Sequence, residues 1–222
     1  MFPFTQGASV IRAVLSSNPV FYSYSVRPAR LFNPRFRMPG LSKEEIQKIF
    51  ELSTDFNDIF EAFEEAIALK FDDIELYRLL FWNKFLSPDE LCMFGDKLAK
   101  EFPTLAYDSY MWLANVFEAT YAASDNYDLA LRYFKKAALV KPAEPDPYLD
   151  AADCYEPDLN IPPIAQLIDF LKLGAQNVAN ANKIYQRLAY LYELLDNDEM
   201  TQFYRRKANP GSAPPPSGLQ PA

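Results

Sequence analysis

Apolar residues recur at helical spacing from about residue 43 to residue 208, and short polar or proline-containing stretches interrupt them. Positions three and four residues apart lie on one face of an α-helix, so this pattern predicts a series of amphipathic helices. The first predicted helix begins after Ser42. The others cover about residues 56–70, 73–84, 87–101, 106–123, 126–140, 146–155, 164–174, 181–195 and 197–208.

Local signals mark where several of these helices begin and end. Ser42 followed three residues later by Glu45 is a capping box, in which each residue bonds the backbone N–H of the other. Residues 87–90, Ser-Pro-Asp-Glu, supply an N-cap, a proline at the first helical position and acidic groups at the positive helix end. Gly174 is placed to end the helix that begins near Ile164.

One eight-residue pattern occurs three times, over residues 110–117, 148–155 and 185–192. Each copy has an aromatic residue, two variable residues, an apolar residue, an alanine, two variable residues and a final aromatic residue. The fixed positions lie on one helix face, and the alanine allows a second helix to approach closely. The copies begin 38 and 37 residues apart, a period that predicts a stack of helix pairs.

These residues resemble the tetratricopeptide repeat. Its first helix has a bulky residue, leucine, a small residue and tyrosine, and its second has alanine, an aromatic residue, alanine and a closing proline. The residues that fill these positions are Tyr110, Leu113, Ala114, Phe117, Ala130, Phe134, Ala137 and Pro142. About four extra residues separate the two helices, which we assign to an added turn around residues 118–121.

The resemblance is good over residues 106–208 and weak over residues 41–105. It implies an all-α fold: a right-handed α-solenoid of antiparallel helix pairs, with about eight to ten helices. The related pentatricopeptide repeat has a similar helix pair, but its RNA-reading arrays need many repeats and a basic concave face, and this chain has neither.

In the resembled fold, first-helix residues outside the core motif line a concave binding surface. In that register the expected partner-binding residues are Arg78, Trp82, Met111, Asn115, Asp153, Lys183, Gln186, Arg187 and Tyr190, with Asp108, Asp146 and Leu149 on the same face. A tryptophan beside charged groups on a groove suits a peptide anchor. The alternative is that Trp82 and Trp112 only pack between neighbouring helices.

Some tetratricopeptide proteins bind the C-terminal carboxylate of chaperones with five polar residues. Asn115, Lys183 and Arg187 match three of those positions. Met111 stands where a lysine is expected, and Asp150 stands where an asparagine is expected. The Asp150 carboxylate would repel an anionic ligand and could neutralise Arg187 instead, so the match argues weakly for chaperone tails.

Charge divides the chain into three parts. Residues 1–40 contain five arginines and no acidic residue, the tail from residue 209 is uncharged and proline-rich, and residues 41–208 therefore carry a charge of −13 within the net −8. We expect residues 1–40 to be a targeting or disordered arm, residues 41–208 to be a helical repeat domain, and the tail from residue 209 to be disordered. The basic segment, with apolar residues at helical spacing around Arg12, resembles a mitochondrial presequence. A basic arm that contacts the body or a partner, a plastid address, and a start placed too far upstream remain alternatives.

The composition argues against most common kinds of catalytic and metal site. The sequence contains no histidine, which is the commonest general base and metal ligand. Cys92 and Cys154 are far apart in sequence and have no metal-site spacing, and the acidic runs 61–65 and 196–199 lack the glycine and length of a calcium loop. No glycine-rich phosphate loop occurs. We expect no metal, no cofactor and no enzymatic activity, although paired carboxylates remain an alternative.

The leading hypothesis is a non-catalytic protein–protein interaction scaffold, an accessory subunit or assembly factor of a mitochondrial multisubunit complex. One alternative is a cytoplasmic adaptor that binds short peptides or chaperone C-terminal tails. Another is a factor associated with an organellar ribosome or RNA, through protein contacts or the basic arm. The acidic body should repel nucleic acid, so we expect no direct nucleic-acid binding by residues 41–208.

Overall fold

A computed structural model of the chain describes residues 40–120 and 124–210. These residues form ten α-helices, with one 3-10 turn at Pro103–Leu105 between the fourth and the fifth. The helices are α1 Lys43–Leu52, α2 Phe56–Ala68, α3 Ile74–Phe81, α4 Pro88–Glu101, α5 Ala106–Thr120, α6 Ser124–Val140, α7 Asp146–Asp153, α8 Ile164–Asn177, α9 Asn182–Leu194 and α10 Asp198–Ala208.

The helices stack in chain order as two layers. The odd-numbered helices form one layer, in which α1 contacts α3, α3 contacts α5, and α7 contacts α9. Each even-numbered helix packs beside its neighbours in sequence, most extensively in the pairs α5–α6 and α9–α10. The predicted all-α solenoid of helix pairs is confirmed, because contacts run along the chain and no strand forms within the described residues.

The repeated motif forms the centre of these helix contacts. Its apolar and alanine positions are buried in all three copies: Leu113 and Ala114, Ala151 and Ala152, Leu188 and Ala189. The second-helix positions Ala130, Phe134 and Ala137 are also fully buried. Most of the motif's aromatic residues pack against this core, with Phe117 and Tyr148 completely inaccessible to solvent.

Both predicted capping boxes are present. At the start of α1 the Glu45 N–H donates to Ser42 Oγ at 3.2 Å, and the Ser42 N–H donates to Glu45 Oε2 at 2.8 Å. Ser87 and Glu90 make the same reciprocal pair at the start of α4. These bonds satisfy N–H groups that have no partner inside the helix.

The prediction that Gly174 ends its helix is wrong. Helix α8 continues to Asn177, and Gly174 is a buried residue inside it. The absence of a side chain lets α8 lie against α7: a Cβ on Gly174 would be 2.6 Å from Cγ of Tyr148. Glycine therefore serves here for close packing and not for a left-handed cap.

Helix α7 is shorter than predicted and leaves the last motif residue outside the helix. It ends at Asp153, and Tyr155 begins a tight loop in which Glu156 and Ile161 exchange backbone hydrogen bonds of 2.7 and 3.3 Å. Asn160 adopts a left-handed φ of 52° in this loop, accepts a hydrogen bond from the Tyr155 hydroxyl at 3.2 Å, and also accepts one from the Ile164 N–H at 3.3 Å. The loop thus ties the end of α7 to the start of α8.

Asn83 links the first two helix pairs through its side-chain amide. It is almost fully buried, and its Nδ2 donates to the backbone carbonyls of Phe50 and Ser53 at 2.9 and 3.0 Å. Its Oδ1 accepts from the Phe85 N–H at 2.9 Å. One amide thus satisfies carbonyls at the end of α1 and fixes the loop after α3.

Several predictions lie outside the described residues. These are the helix and basic arm in residues 1–39, the tail from residue 211 onward, and the end of the added turn after Thr120. The division into an arm, a body and a tail therefore stays a prediction. Within residues 40–120 and 124–210, no helix is both long enough and apolar enough to cross a membrane.

Candidate protein-binding face

A cleft of about 460 Å³ lies where α3, α5 and the end of α7 meet. Three predicted binding residues line it: Trp82 at the end of α3, Asn115 on α5 and Asp153 on α7. Trp82 is the C-cap residue of α3, and its side chain is 45% exposed. Trp82 therefore has an accessible position on a cleft, whereas Trp112 is half-buried and packs against the core.

A second cleft, of about 380 Å³, lies between α7 and α9. Asp146, Leu149 and Asp153 line it from α7, and Lys183, Gln186 and Arg187 line it from α9. All six were placed on one face by the repeat register. Asp153 borders both clefts, so they are adjacent along the layer of odd-numbered helices.

An ion pair spans the second cleft. Arg187 Nε lies 2.6 Å from Asp153 Oδ1, and Arg187 Nη2 donates to Asp153 Oδ2 at 3.0 Å. Both side chains are about half exposed, so this bidentate pair adds little stability, on the order of 0–1 kcal/mol. Its main effect is to orient the Arg187 guanidinium and to neutralise its positive charge.

Acidic groups dominate the electrostatics of this face. Partial burial, followed by the nearby carboxylates of Asp146, Asp153 and Glu118 in that order, raises the pKa of Asp150 to about 6. Burial, followed by the charges of Asp146, Glu144, Asp108 and Asp150, raises the pKa of Tyr107 on α5 to about 12. A cation on this face would relieve the mutual repulsion of these carboxylates.

Three of the predicted binding residues do not line either cleft. Arg78 faces a separate recess beside α1, pairs with Glu75 at 3.0 Å, and lies over the ring of Trp112 at 5.4 Å. Met111 is half-buried and packs against the core. Tyr190 is exposed on α9 but borders neither cleft.

Sequence reasoning missed several residues of the first cleft. Glu118, Tyr127, Tyr155 and Glu156 line it together with the predicted residues. Tyr155 was assigned to the helix core by the motif, and it reaches the cleft because α7 ends two residues earlier. Glu118 lies three residues after Asn115, a helical spacing that could have placed it on this face.

Arg187, one of the three residues that match the chaperone clamp, is already paired with a carboxylate in the structure. Asp153, and not Asp150 as expected, is the carboxylate that neutralises Arg187. Asp146, Asp150 and Asp153 all line the cleft that holds Lys183 and Arg187, so three acidic groups face two basic ones. This charge balance opposes the binding of a terminal carboxylate.

The described residues offer no obvious metal or thiol chemistry on this face. No group of three or more Asp, Glu or Cys side chains in residues 40–120 and 124–210 is arranged to hold a metal ion. Cys154 borders the first cleft but is buried, and burial together with Glu118 raises the pKa of its thiol. A thiol of raised pKa is a poor nucleophile at neutral pH.

Solved structures of low sequence identity are similar to this chain. No protein-family model matches it, and no curated protein matches its sequence. Matching solved structures include MamA AMB-1, with 16% identity and a TM-score of 0.42 over 75% of this chain and 95% of that chain. Another is a thermophilic TPR protein in Thermus thermophilus, with 17% identity and a TM-score of 0.41 over 77% of this chain and 93% of that chain. At such identities and scores, function has to be inferred from the residues of this chain.

Proposed function

We propose that this protein is a non-catalytic scaffold that binds an extended segment of a partner protein along its two adjacent clefts. The observation that supports the proposal is that Asp153 lines both clefts, with Trp82 and Asn115 on the first and Lys183, Gln186 and Arg187 on the second. A face built on rigid helices is preformed, so a partner segment binds it without a large ordering cost on the receptor side.

The clefts provide two kinds of contact for such a segment. The exposed Trp82 ring offers an apolar anchor beside Tyr127 and Tyr155. Asp146, Asp150 and Asp153 offer acceptors for backbone N–H groups or for basic side chains. A segment with an apolar residue followed by lysine or arginine would match this order.

We further propose that the partner belongs to a mitochondrial multisubunit complex, in which this chain acts as an accessory subunit or assembly factor. The support for this location is the acid-free, arginine-containing composition of residues 1–40. Imaging a fluorescent fusion of residues 1–40 tests the location by itself. A purely cytosolic signal contradicts import, and the cytoplasmic adaptor then becomes the better hypothesis.

Site-specific photo-crosslinking in cells that express the full chain tests the binding face. A photoreactive residue replaces Ala119, which borders the first cleft, and in a matched variant it replaces Ala68, which is exposed at the end of α2. We expect a discrete crosslinked partner only at position 119, and we expect Trp82→Ala to reduce its yield. Equal crosslinking at both positions, or a yield unaffected by Trp82→Ala, would contradict the proposed face.

Two other functions would give different results in direct assays. An RNA-associated factor that uses the basic arm would bind RNA as a full chain, and changing the five arginines of residues 1–40 to glutamine would abolish the binding. An enzyme that uses carboxylates alone would lose its turnover when Asp150 or Asp153 is changed to asparagine. Either result would replace the scaffold proposal.

A further inference from the structure

An apolar groove of about 540 Å³ lies between α6 and α8, which belong to the layer of even-numbered helices. Its rims carry Leu139 on α6, which is 80% exposed, and Leu173 on α8, which is 46% exposed. Its floor contains the buried Ala138 and Phe170. Leu139 is the most exposed of the large apolar side chains in the described part of the chain.

Exposed leucines beside a formed apolar groove indicate an interaction surface more strongly than a single exposed leucine does. The groove shares no lining residue with the two clefts of the proposed binding face. A partner that binds this groove would therefore make a contact separate from the proposed binding face. The groove and the binding face can be tested independently.

Charged residues frame the groove in a self-complementary pattern. Lys135 precedes Leu139 by one helical turn on α6, and Asp169 precedes Leu173 by one turn on α8. Lys135 Nζ donates to Gln166 Oε1 on α8 at 3.3 Å, which places the two turns side by side. Within residues 40–120 and 124–210, neither Lys135 nor Asp169 forms an ion pair inside its own chain.

This pattern selects the kind of partner. An acidic segment would match Lys135 but would be repelled by Asp169, and a basic segment would have the opposite problem. A second copy of the chain satisfies both, because a two-fold axis along the groove places each α6 over the other copy's α8. Lys135 then faces Asp169 of the second copy, and Leu139 faces its Leu173.

We propose that the groove between α6 and α8 is the contact surface of a symmetric homodimer, in which Leu139 and Leu173 pack across the two-fold axis between reciprocal Lys135–Asp169 pairs. The groove is lined by fewer residues than the roughly 20–30 that one side of a standard interface contains. We therefore expect a weak dimer.

Sedimentation equilibrium of the full chain, from about 1 to 200 µM, measures this association directly. We expect a monomer–dimer equilibrium that Leu139→Glu weakens by about tenfold or more, because a carboxylate replaces the central apolar contact. Leu52→Glu is the matched control, since Leu52 is 69% exposed at the end of α1 and lies outside the groove. The control should leave the equilibrium unchanged, and circular dichroism should show that both variants remain folded.

A charge exchange tests the symmetric arrangement. Lys135→Asp and Asp169→Lys should each weaken the dimer by about three- to tenfold, and the double variant should restore it because both reciprocal pairs are rebuilt in the opposite sense. A chain that stays monomeric at 200 µM overturns the proposal. So does a dimer that Leu139→Glu does not weaken, that Leu52→Glu weakens equally, or that the double exchange fails to restore.

Discussion

Gly174 of α8 lies directly against the aromatic ring of Tyr148 of α7, and the missing side chain is what allows this contact. A Cβ on Gly174 would approach three ring atoms of Tyr148 to between 2.6 and 2.9 Å. The ring cannot move aside easily, because Phe170 packs against it with ring centroids 4.8 Å apart and the Tyr148 hydroxyl donates to the Pro142 carbonyl at 3.1 Å.

Gly174→Ala should therefore lower the free energy of unfolding by about 1–3 kcal/mol, even though alanine favours a helix interior by up to about 1 kcal/mol. Urea denaturation measures the difference. Gly40→Ala is the matched comparison and should change stability little, because its new Cβ meets only the end of the flexible Glu65 side chain. A Gly174→Ala protein as stable as the wild type would contradict this account of the contact.

The motif alanines give the second stability prediction. Ala114, Ala152 and Ala189 are buried where two helices cross, so replacement by tryptophan should overpack each site and cost about 1–3 kcal/mol or more. Ala165→Trp on the exposed side of α8 should change stability little. Thermal melts of the four variants test the series. Neutral behaviour at all three motif positions would show that the alanines do not face neighbouring helices.

The contrast between these alanines and Gly174 shows how far the sequence alone can predict this fold. A small residue that recurs with the same neighbours at a fixed period points to a helix crossing, so the buried alanines were predictable. A single glycine near the end of an apolar pattern has two physical uses, as a left-handed cap or as a close contact. Only the position of Tyr148 in space distinguishes them.

The candidate site likewise contains residues that could be predicted from the sequence and residues that could not. Asn115, Asp153, Lys183, Gln186 and Arg187 were predictable because helical geometry fixes which side of each helix faces the clefts. Tyr155 and Glu156 were not, because the place where α7 ends depends on the loop contacts of Asn160. Arg78 lies one helical turn before Trp82 but lines a separate recess beside α1, so its part in binding stays a prediction.

The hydrogen bonds of the Asn83 side chain could not be predicted from the sequence around it, and they can be tested directly. Its side chain makes three hydrogen bonds to backbone groups, two of them to residues at least 30 positions away. Asn83→Ala should leave buried carbonyls without a partner and cost about 1–3 kcal/mol in unfolding free energy. Asn57→Ala is a suitable control, because Asn57 is exposed and its side chain contacts only Asp55 nearby. Equal stability of the two variants would contradict a structural role for Asn83.

The two cysteines should differ in reactivity. Cys154 is buried, its Sγ donates to the Asp150 carbonyl at 3.2 Å, and burial raises the pKa of its thiol, whereas Cys92 is partly exposed on α4. We expect iodoacetamide to label Cys92 first in the folded protein and to label Cys154 only when the protein is denatured. Mass spectrometry of the alkylated peptides identifies the site. Rapid labelling of Cys154 in the native protein would show that α7 opens readily.

Asp150 should make stability depend on pH in a specific window. Partial burial and the neighbouring carboxylates raise its pKa to about 6 in the folded chain, compared with about 3.9 for an unfolded aspartate. Between these two values the folded state retains a proton that the unfolded state has lost. The contribution of Asp150 to stability therefore decreases as pH rises from about 4 to about 6, and the whole penalty is present at pH 7.

Asp150→Asn removes this penalty, so the variant should be more stable than the wild type at pH 7 and equal to it near pH 4. The carboxyl is only partly buried and solvent screens it, so we expect a gain of about 1 kcal/mol, or about 2–4 °C in Tm. Asp158→Asn, in the exposed loop after α7, is the control and should show no such trend. A difference in Tm that does not change between pH 4 and pH 7 would mean that Asp150 keeps an ordinary pKa in the folded protein. The acidic face would then lack the crowded carboxylates that favour a basic partner segment.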